Sequence, residues 1–269
     1  MITKFILLLV FLFSISAIYA GINSPLNSSY ETIHHKTFKV SSGKDLILST
    51  ESGDVLITPW EKDEVEIKVL GNESAKEKMR FDFTANDNEV KVTAKKQDSG
   101  WNLFSNLELK YEIKVPASFN IEVSTAGGDI KVGGVKGKIN LNTSGGDIWA
   151  DRCTGSINAK TSGGDINIYS SDTPVNAHTS GGDINVEYSG INKGIELKTS
   201  GGDIVIKVSP DIKANVELST SGGDVSNSGI KISNATKMSS TKIVGEISGG
   251  GEKLIAKTSG GDVELRRLE

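Results

Sequence analysis

One hexapeptide recurs down the C-terminal half of the chain, and this repeat restricts the fold more than any other feature. The copies read TAGGDI, TSGGDI or TSGGDV, and their aspartates are Asp129, Asp147, Asp165, Asp183, Asp203, Asp224 and Asp262. Successive aspartates are 18, 18, 18, 20, 21 and 38 residues apart, so the last interval predicts one degenerate copy within it. Units of this length cannot bury a core alone and are stabilised by stacking on their neighbours.

Apolar residues alternate with polar ones within each copy. In the second copy, Ile139 and Leu141 precede the glycines, and Ile148 and Ala150 follow them with inward parity. A period of two with β-branched residues predicts strands, and the Gly-Gly pair, which tolerates positive φ, predicts a corner. We expect an all-β fold, a β-solenoid like a parallel β-helix or β-roll with coils of 18–21 residues. The alternative is an antiparallel β meander or sandwich, which leaves one apolar face uncovered.

The N-terminal half has a different organisation. A lysine followed by the apolar run 5–13 indicates a secretory signal peptide over residues 1–20, and a flexible segment is predicted for 21–37. The pattern over residues 38–120 predicts an irregular β cap that includes a short helix within 72–80. The solenoid is predicted over residues 121–269. No later segment is apolar enough to span a membrane. We therefore expect an exported protein in the periplasm, on the cell surface or outside the cell.

Composition excludes several classes of partner and cofactor. The 269 residues hold 30 Lys and Arg against 34 Asp and Glu, and the net charge of −4 provides no positive field for nucleic acid. Cys153 is the single cysteine, and His34, His35 and His178 belong to no recognisable nucleophile or zinc motif. We therefore expect no catalytic residue, no resident metal and no cofactor.

Three passages accompany the repeat in a fixed order: SGDVLITPWEKDEVEI, VPASFNIEV and VGEISGGGEKLIAKTSGGDVEL. Together with the TSGGDI coils, they resemble the bacterial adhesin-like family known as domain of unknown function 4097 (DUF4097), which is related in style to the head-GIN domains. The resemblance covers roughly residues 38–269. It implies a β-solenoid protein of the cell envelope, and it brings no catalytic residues to carry over.

Stacked coils would place the seven repeat aspartates in one row, which we name the Asp ladder. Carboxylates about 4.8 Å apart repel each other by roughly 0.9 kcal/mol in water, so other groups must offset the charge. Turn amides, hydroxyls and the nearby Lys160, Lys198 and Lys257 supply one explanation. The other is a row of calcium sites, since calcium binds regular aspartates in some Gly-rich coils. The first is favoured because each coil offers a single carboxylate.

Trp149 is the candidate partner-binding residue. It has outward parity two residues after Asp147, where it could hold a sugar or a protein, or pack under a neighbouring loop. The sequence predicts a noncatalytic, exported envelope or surface protein that acts as an adhesin-like binding or scaffold module. Its partner would be an envelope or surface protein or a glycan. The alternatives are a carbohydrate-active enzyme on a β-helix and a periplasmic sensor or scaffold.

Overall fold

The computed structural model describes residues 30–97 and 107–269. These residues form two large β-sheets and one short helix, α1 (Glu73–Lys78). The predicted signal peptide, residues 1–20, lies outside the described residues, and so does the first part of the predicted flexible segment.

Strands alternate between the two sheets along most of the chain. The N-terminal strands are β1 (Glu31–Lys39), β2 (Asp45–Thr50), β3 (Asp54–Trp60), β4 (Glu64–Gly71), β5 (Met79–Ala85), β6 (Glu89–Lys96) and β7 (Leu109–Pro116). The central strands are β8 (Asn120–Thr125), β9 (Ile130–Gly133), β10 (Lys136–Asn142), β11 (Ile148–Asp151), β12 (Thr154–Lys160), β13 (Ile166–Ser171), β14 (Val175–His178), β15 (Ile184–Ser189), β16 (Ile195–Lys198) and β17 (Ile204–Val208). The C-terminal strands are β18 (Ala214–Ser219), β19 (Val225–Ser228), β20 (Ile232–Ser239), β21 (Lys242–Ile247), β22 (Glu252–Lys257) and β23 (Val263–Arg267).

The repeats build the two sheets by parallel stacking. Within the described residues, sheet A has the strand order β1-β4-β7-β3-β9-β11-β13-β15-β17-β23-β19, and sheet B has the order β20-β21-β18-β22-β16-β14-β12-β10-β8-β2-β6-β5. Each repeat gives one strand to sheet B, turns at its glycines and gives the next strand to sheet A, and this pair of strands is one coil. Ile148 pairs in parallel with Ile130 on one side and Ile166 on the other. The solenoid prediction is confirmed, and the antiparallel meander is wrong for the repeats.

Inward side chains of the two sheets stack in rows between them. One row of sheet A contains Ile57, Val132, Ala150, Ile168, Val186, Ile206, Leu265 and Asn227. One row of sheet B contains Leu48, Val123, Leu141, Ala159, Ala177, Leu197, Ala256 and Leu218. All of them except Asn227 are apolar and buried, which confirms the inward parity predicted from the sequence. Each large member contributes roughly 1.5–3 kcal/mol by its burial, and that burial depends on the coils above and below.

The stack of coils begins earlier in the chain than the predicted boundary at 121. β2 and β3 form a coil beside β8 and β9, and β6 and β7 form a further coil outside it. The cap therefore consists of α1 and the antiparallel strands β1 and β4 of sheet A and β5 of sheet B. Asn72 caps the predicted helix by accepting a hydrogen bond from the Ala75 N–H at 3.0 Å.

The prediction of a flexible segment is wrong from residue 31 onward. Residues 31–39 form strand β1, which pairs with β4 along its length. Ile33 and Phe38 pack against the core, and the ring of His34 lies 5.0 Å from the ring of Phe81 in edge contact. Main-chain pairing and apolar packing thus order a segment whose sequence alternates only weakly.

The last coil is inserted between two coils that precede it in the chain. β22 lies between β16 and β18 in sheet B, and β23 lies between β17 and β19 in sheet A. The 38-residue interval between Asp224 and Asp262 holds the antiparallel hairpin β20–β21, which pairs with β18. The predicted degenerate copy is therefore wrong. Residues 248–251 connect β21 to β22 past the start of β18, where Asn215 Nδ2 donates to Gly251 O at 2.5 Å.

Candidate functional site

The Asp ladder runs along one corner of the stack. Asp54 of the β2–β3 coil extends the ladder by one position, so that the stack order is Asp54, Asp129, Asp147, Asp165, Asp183, Asp203, Asp262 and Asp224. The Oδ1 of each aspartate except the last, Asp224, accepts a hydrogen bond from the main-chain N–H of the next aspartate in this order, at 2.7–3.0 Å. An N–H that donates to a carboxylate stabilises its charged form, which offsets the repulsion between neighbouring carboxylates.

Threonine and glycine complete the same corner. Thr161 Oγ1 donates to Gly146 O at 2.9 Å and accepts from the Gly164 N–H at 3.3 Å. A Cβ atom on Gly164 would lie 2.1 Å from Gly146 O, whereas a Cβ on Gly163 would have its nearest neighbour at 3.6 Å. Neither Gly163 nor Gly164 has a positive φ. The close approach of adjacent coils, rather than positive φ, therefore requires the second glycine.

The ladder geometry does not gather ligands for calcium, which takes roughly 6–8 oxygen atoms. One oxygen of each carboxylate is already bonded to a main-chain N–H, and each coil adds a single carboxylate. Within residues 30–97 and 107–269, no three His, Cys, Asp or Glu side chains lie together in a way that could hold a metal ion. The calcium interpretation stays a prediction that these distances do not favour.

Trp149 lies half-buried on the outer face of sheet A, with the outward parity that the sequence predicts. Its neighbours across the strands are Lys131 and Asn167, and Lys131 Nζ lies 4.2 Å from the centroid of the indole ring. A cation over an aromatic ring contributes roughly 0.5–1 kcal/mol at an exposed site. The lysine covers one face of the indole, which reduces the ring surface open to a partner.

A shallow groove of about 780 Å³ lies on the outer face of sheet B, and we name it the sheet B groove. Its floor is one outward row that stays in register across five neighbouring strands: Glu122, Asn140, Asn158, Asn176 and Glu196. This row was not predicted from the sequence. The pattern that could have identified it is an asparagine after the first apolar residue in three successive copies, in KINLN, SINAK and PVNAH.

The three groove asparagines present side-chain amides that no group of the described residues uses. Among the described residues, the side chains of Asn140, Asn158 and Asn176 have no hydrogen-bond partner. The outward asparagines of sheet A differ, because Asn185 Nδ2 donates to Asn167 Oδ1 at 3.3 Å. Each free amide offers two N–H donors and one carbonyl acceptor. The groove floor therefore presents both donors and acceptors to solvent.

Charges around the groove balance each other. The charged residues that line it are Lys138, Lys193, Lys253, Glu122, Glu196 and Glu252. The Lys198 ammonium group donates to the Glu196 carboxylate and holds its pKa below the ordinary value, so this carboxylate is ionised at neutral pH. A carboxyl group that acts as a general acid needs a raised pKa so that it keeps its proton near neutral pH, whereas the pKa of Glu196 is lowered.

The histidines and the single cysteine lie on separate parts of the stack. His178 lies between Lys160 and Lys198 on the outer face of sheet B, at the outward position that the sequence predicts. His35 Nε2 contacts Glu66 Oε1 at 3.0 Å in the cap. Cys153 is fully buried, and this burial raises the pKa of its thiol to about 11, which suppresses the reactive thiolate at neutral pH.

Solved structures of bacterial proteins align with most of the chain at low sequence identity. A "putative adhesin" from Bacteroides fragilis is 15% identical, with a TM-score of 0.46, covering 89% of this chain and 98% of that one. A "putative cell adhesion protein" from Clostridium sporogenes is 10% identical, with a TM-score of 0.37 and coverages of 87% and 99%. A "putative lipid binding protein" from Parabacteroides distasonis is 15% identical, with a TM-score of 0.32 and coverages of 90% and 98%. No curated protein matches the chain significantly.

In the part of the chain that the structure describes, no helix combines the length and the apolar character needed to cross a membrane.

A family profile covers almost the whole stack of coils. The profile of the family Toastrack DUF4097 matches residues 43–173 and 117–266. The two matched ranges overlap and run from the start of the β2–β3 coil to the last strand, which confirms the resemblance to DUF4097. The chain therefore belongs to the Toastrack DUF4097 family.

Proposed function

We propose that the protein is a noncatalytic, exported binding module of adhesin type that acts through the sheet B groove. The observation that carries this proposal is the row of Asn140, Asn158 and Asn176, whose amides face solvent without a protein partner among the described residues. The strands that carry them are paired on both sides. A rigid backbone holds these polar groups in fixed positions, which lowers the entropy cost of binding a ligand.

Export is supported by the sequence of residues 1–20, with its basic start, apolar run and terminal alanine, and the surface location is our proposal. The partner is then a protein or a glycan of the envelope or the cell surface. Adding protease to intact cells of the native host tests the location. Cleavage on intact cells is the expected result. Protection until the envelope is opened would contradict the surface role and favour a periplasmic scaffold or sensor.

Charge in the groove favours binding over hydrolysis. Glycoside hydrolysis commonly uses two carboxyl groups, one of which has a raised pKa so that it can donate a proton. The neighbouring lysine lowers the pKa of Glu196 instead. Incubating the protein with neutral and acidic polysaccharides tests this part of the proposal. Release of reducing or unsaturated ends would show an enzyme and overturn the noncatalytic assignment.

Variants on the two outer faces test whether the groove is the binding surface. The triple variant N140A/N158A/N176A removes the free amides from sheet B, and the double variant N167A/N185A removes the matched amides from sheet A. We expect the labelled wild-type protein and the sheet A variant to bind isolated envelopes equally. The groove variant should bind at least tenfold more weakly, since each lost hydrogen bond is worth roughly 0.5–1.5 kcal/mol. Equal binding by all three proteins would remove the groove from the proposal.

A further inference from the structure

The sheet B groove has the length and the repeat of an extended chain of sugars. Its floor row passes from Glu122 on β8 to Glu196 on β16, and the lining continues to Ile255 on β22. Neighbouring strands lie about 4.8 Å apart, so the row from Glu122 to Ile255 is about 24 Å long. One pyranose unit of an extended β-1,4-linked polysaccharide is slightly longer than this strand spacing. Successive sugars would therefore lie close to successive strands over a row of this length.

The charge of the groove selects a neutral occupant. Three lysines and three glutamates line it, so it has no excess of either sign. A nucleic acid or an acidic polysaccharide requires an excess of Lys and Arg for tight binding. A basic polymer would require an excess of carboxylates in the same way.

The position of the groove disfavours an extended peptide. Peptides that add to a sheet bind through unpaired main-chain N–H and C=O groups at a sheet edge. The central groove strands β10, β12 and β14 are each paired on both sides within the stack, so their main-chain groups are already bonded. Recognition must use the side chains of the outward row, and these are mainly amides.

We infer that the sheet B groove binds a neutral polysaccharide in an extended conformation that lies along the stack with one sugar at each strand. Ring hydroxyls both donate and accept hydrogen bonds, which matches the donors and the acceptor of each free amide. Glu122 accepts from a hydroxyl at the first position, Asn140, Asn158 and Asn176 bind the next three sugars, and Glu196 accepts at the fifth position, beside the sixth at Ile255. This inference rests on the proposed function, because it names the ligand class of the same groove.

The lining also predicts how affinity depends on ligand length. None of the described residues that line the groove is aromatic, so hydrogen bonds rather than ring stacking carry the binding. Each sugar then contributes little by itself. Affinity should increase with every sugar added until the row is filled, which takes about six units over about 24 Å.

Calorimetry with defined oligosaccharides tests the inference. The probes are β-1,4-linked oligomers of glucose, mannose and xylose with two, four and six units, and galacturonic acid hexamer is the acidic control. We expect at least one neutral series to bind more tightly as it lengthens. N158A should weaken hexamer binding roughly threefold to tenfold, and the matched sheet A variant N167A should leave it unchanged. Raising the salt concentration tenfold should change neutral binding less than twofold, because no ion pair holds the ligand.

The outcomes separate this inference from the proposed function. Binding of none of the neutral hexamers, tighter binding of the acidic hexamer, or equal hexamer binding by N158A and wild type would each overturn the neutral-polysaccharide inference. If the triple groove variant still loses envelope binding in that case, the proposed function stands with another class of ligand. If envelope binding is also insensitive to the groove variant, both proposals fail.

Discussion

Oδ1 of Asp147 accepts a hydrogen bond from the main-chain N–H of Asp165 at 2.8 Å, and Oδ1 of Asp165 does the same for Asp183. Each carboxylate thus holds the turn of the adjacent coil. The side-chain oxygen matters more than the charge, because an amide oxygen could accept the same bond. These hydrogen bonds give the carboxylates a structural role in joining neighbouring coils, which differs from the role of metal ligands.

The Asp ladder predicts different effects on stability for two substitutions of Asp165. D165A leaves the Asp183 N–H without its acceptor and should lower the free energy of unfolding by about 1–2 kcal/mol. D165N keeps an oxygen acceptor and removes one of several repelling charges, so its stability should stay close to wild type. Urea unfolding measures both, with D211A at an exposed position outside the ladder as the control. Equal loss in D165A and D165N would show that the charge itself is required.

The two glycines of one turn should respond differently to alanine. In G164A the new Cβ would lie 2.1 Å from Gly146 O, so the coils must separate, and we expect a loss of about 3 kcal/mol. In G163A the nearest atom is at 3.6 Å, and reduced freedom of the unfolded chain should leave stability unchanged or raised by about 0.5 kcal/mol. Thermal unfolding of the pair is the measurement. A comparable loss in G163A would contradict the close-approach explanation.

Glu217 links the inserted coil to the hairpin beside it. Its carboxylate contacts Lys257 Nζ at 2.9 Å and Lys242 Nζ at 3.0 Å, and these hydrogen bonds lower its pKa from the ordinary value of 4.5. A lowered folded-state pKa stabilises the protein above the unfolded pKa, and the stabilisation is lost as the pH falls through the folded value. Because the side chain is about one third exposed, we expect E217Q to lose only about 0.5–1 kcal/mol at neutral pH.

The difference in stability between wild type and E217Q should begin to shrink as the pH falls to about 4.5, the unfolded-state pKa, and should disappear once the pH is below the lower folded-state pKa. Chemical unfolding at several pH values measures it, with E77Q on the exposed face of α1 as the control. A difference that persists at low pH would show that packing rather than charge explains the loss. High salt should also reduce the difference, because these side chains are partly exposed.

Asn227 and Leu265 occupy successive places in the same inward row, but their environments differ. Leu265 is fully buried between Ile206 and Asn227, whereas Asn227 ends the row and donates from Nδ2 to Ile230 O at 2.6 Å. L265N would bury an unpaired amide and should cost roughly 3–5 kcal/mol. N227L should change stability by less than about 1 kcal/mol, since the buried Oδ1 of Asn227 has no hydrogen-bond partner among the described residues. Guanidinium unfolding compares the two, and similar losses would show that the end of the row is packed like its middle.

The inward rows could be predicted from the sequence because strand parity is local. Ile139, Leu141, Ile148 and Ala150 alternate with polar residues, and a period of two assigns faces without knowledge of the partner strands. The outward faces were harder to interpret. The same parity places Asn158 and Asn167 outside, and only the structure shows that Asn167 is bonded to Asn185.

The order of the coils could not be predicted because near-identical repeats can occupy the same place in a stack. Asp224 and Asp262 both follow a TSGG turn, so local pattern gives no preference for which coil lies next to β16 and β17. The order depends on the hairpin β20–β21, which pairs with one edge of β18 and leaves the other edge to β22. Strand β1 was missed for a related reason, since pairing with β4 rather than its own alternation orders it.

The inserted coil also affects how the protein is made. The ribosome synthesises β18 and β19 before β22 and β23. The edges of β18 and β19 that β22 and β23 cover in the complete stack therefore have no final partner until the later strands are made. Unpaired strand edges are the sites at which nascent chains associate wrongly. The coils from β8–β9 to β16–β17 can be added in the order of synthesis, whereas the end of the stack is completed only when β22 and β23 enter between two earlier coils. A chain that stops short of β22 would have two further unpaired strand edges in each sheet, one on either side of the missing strand, and we expect it to aggregate rather than form a shorter solenoid.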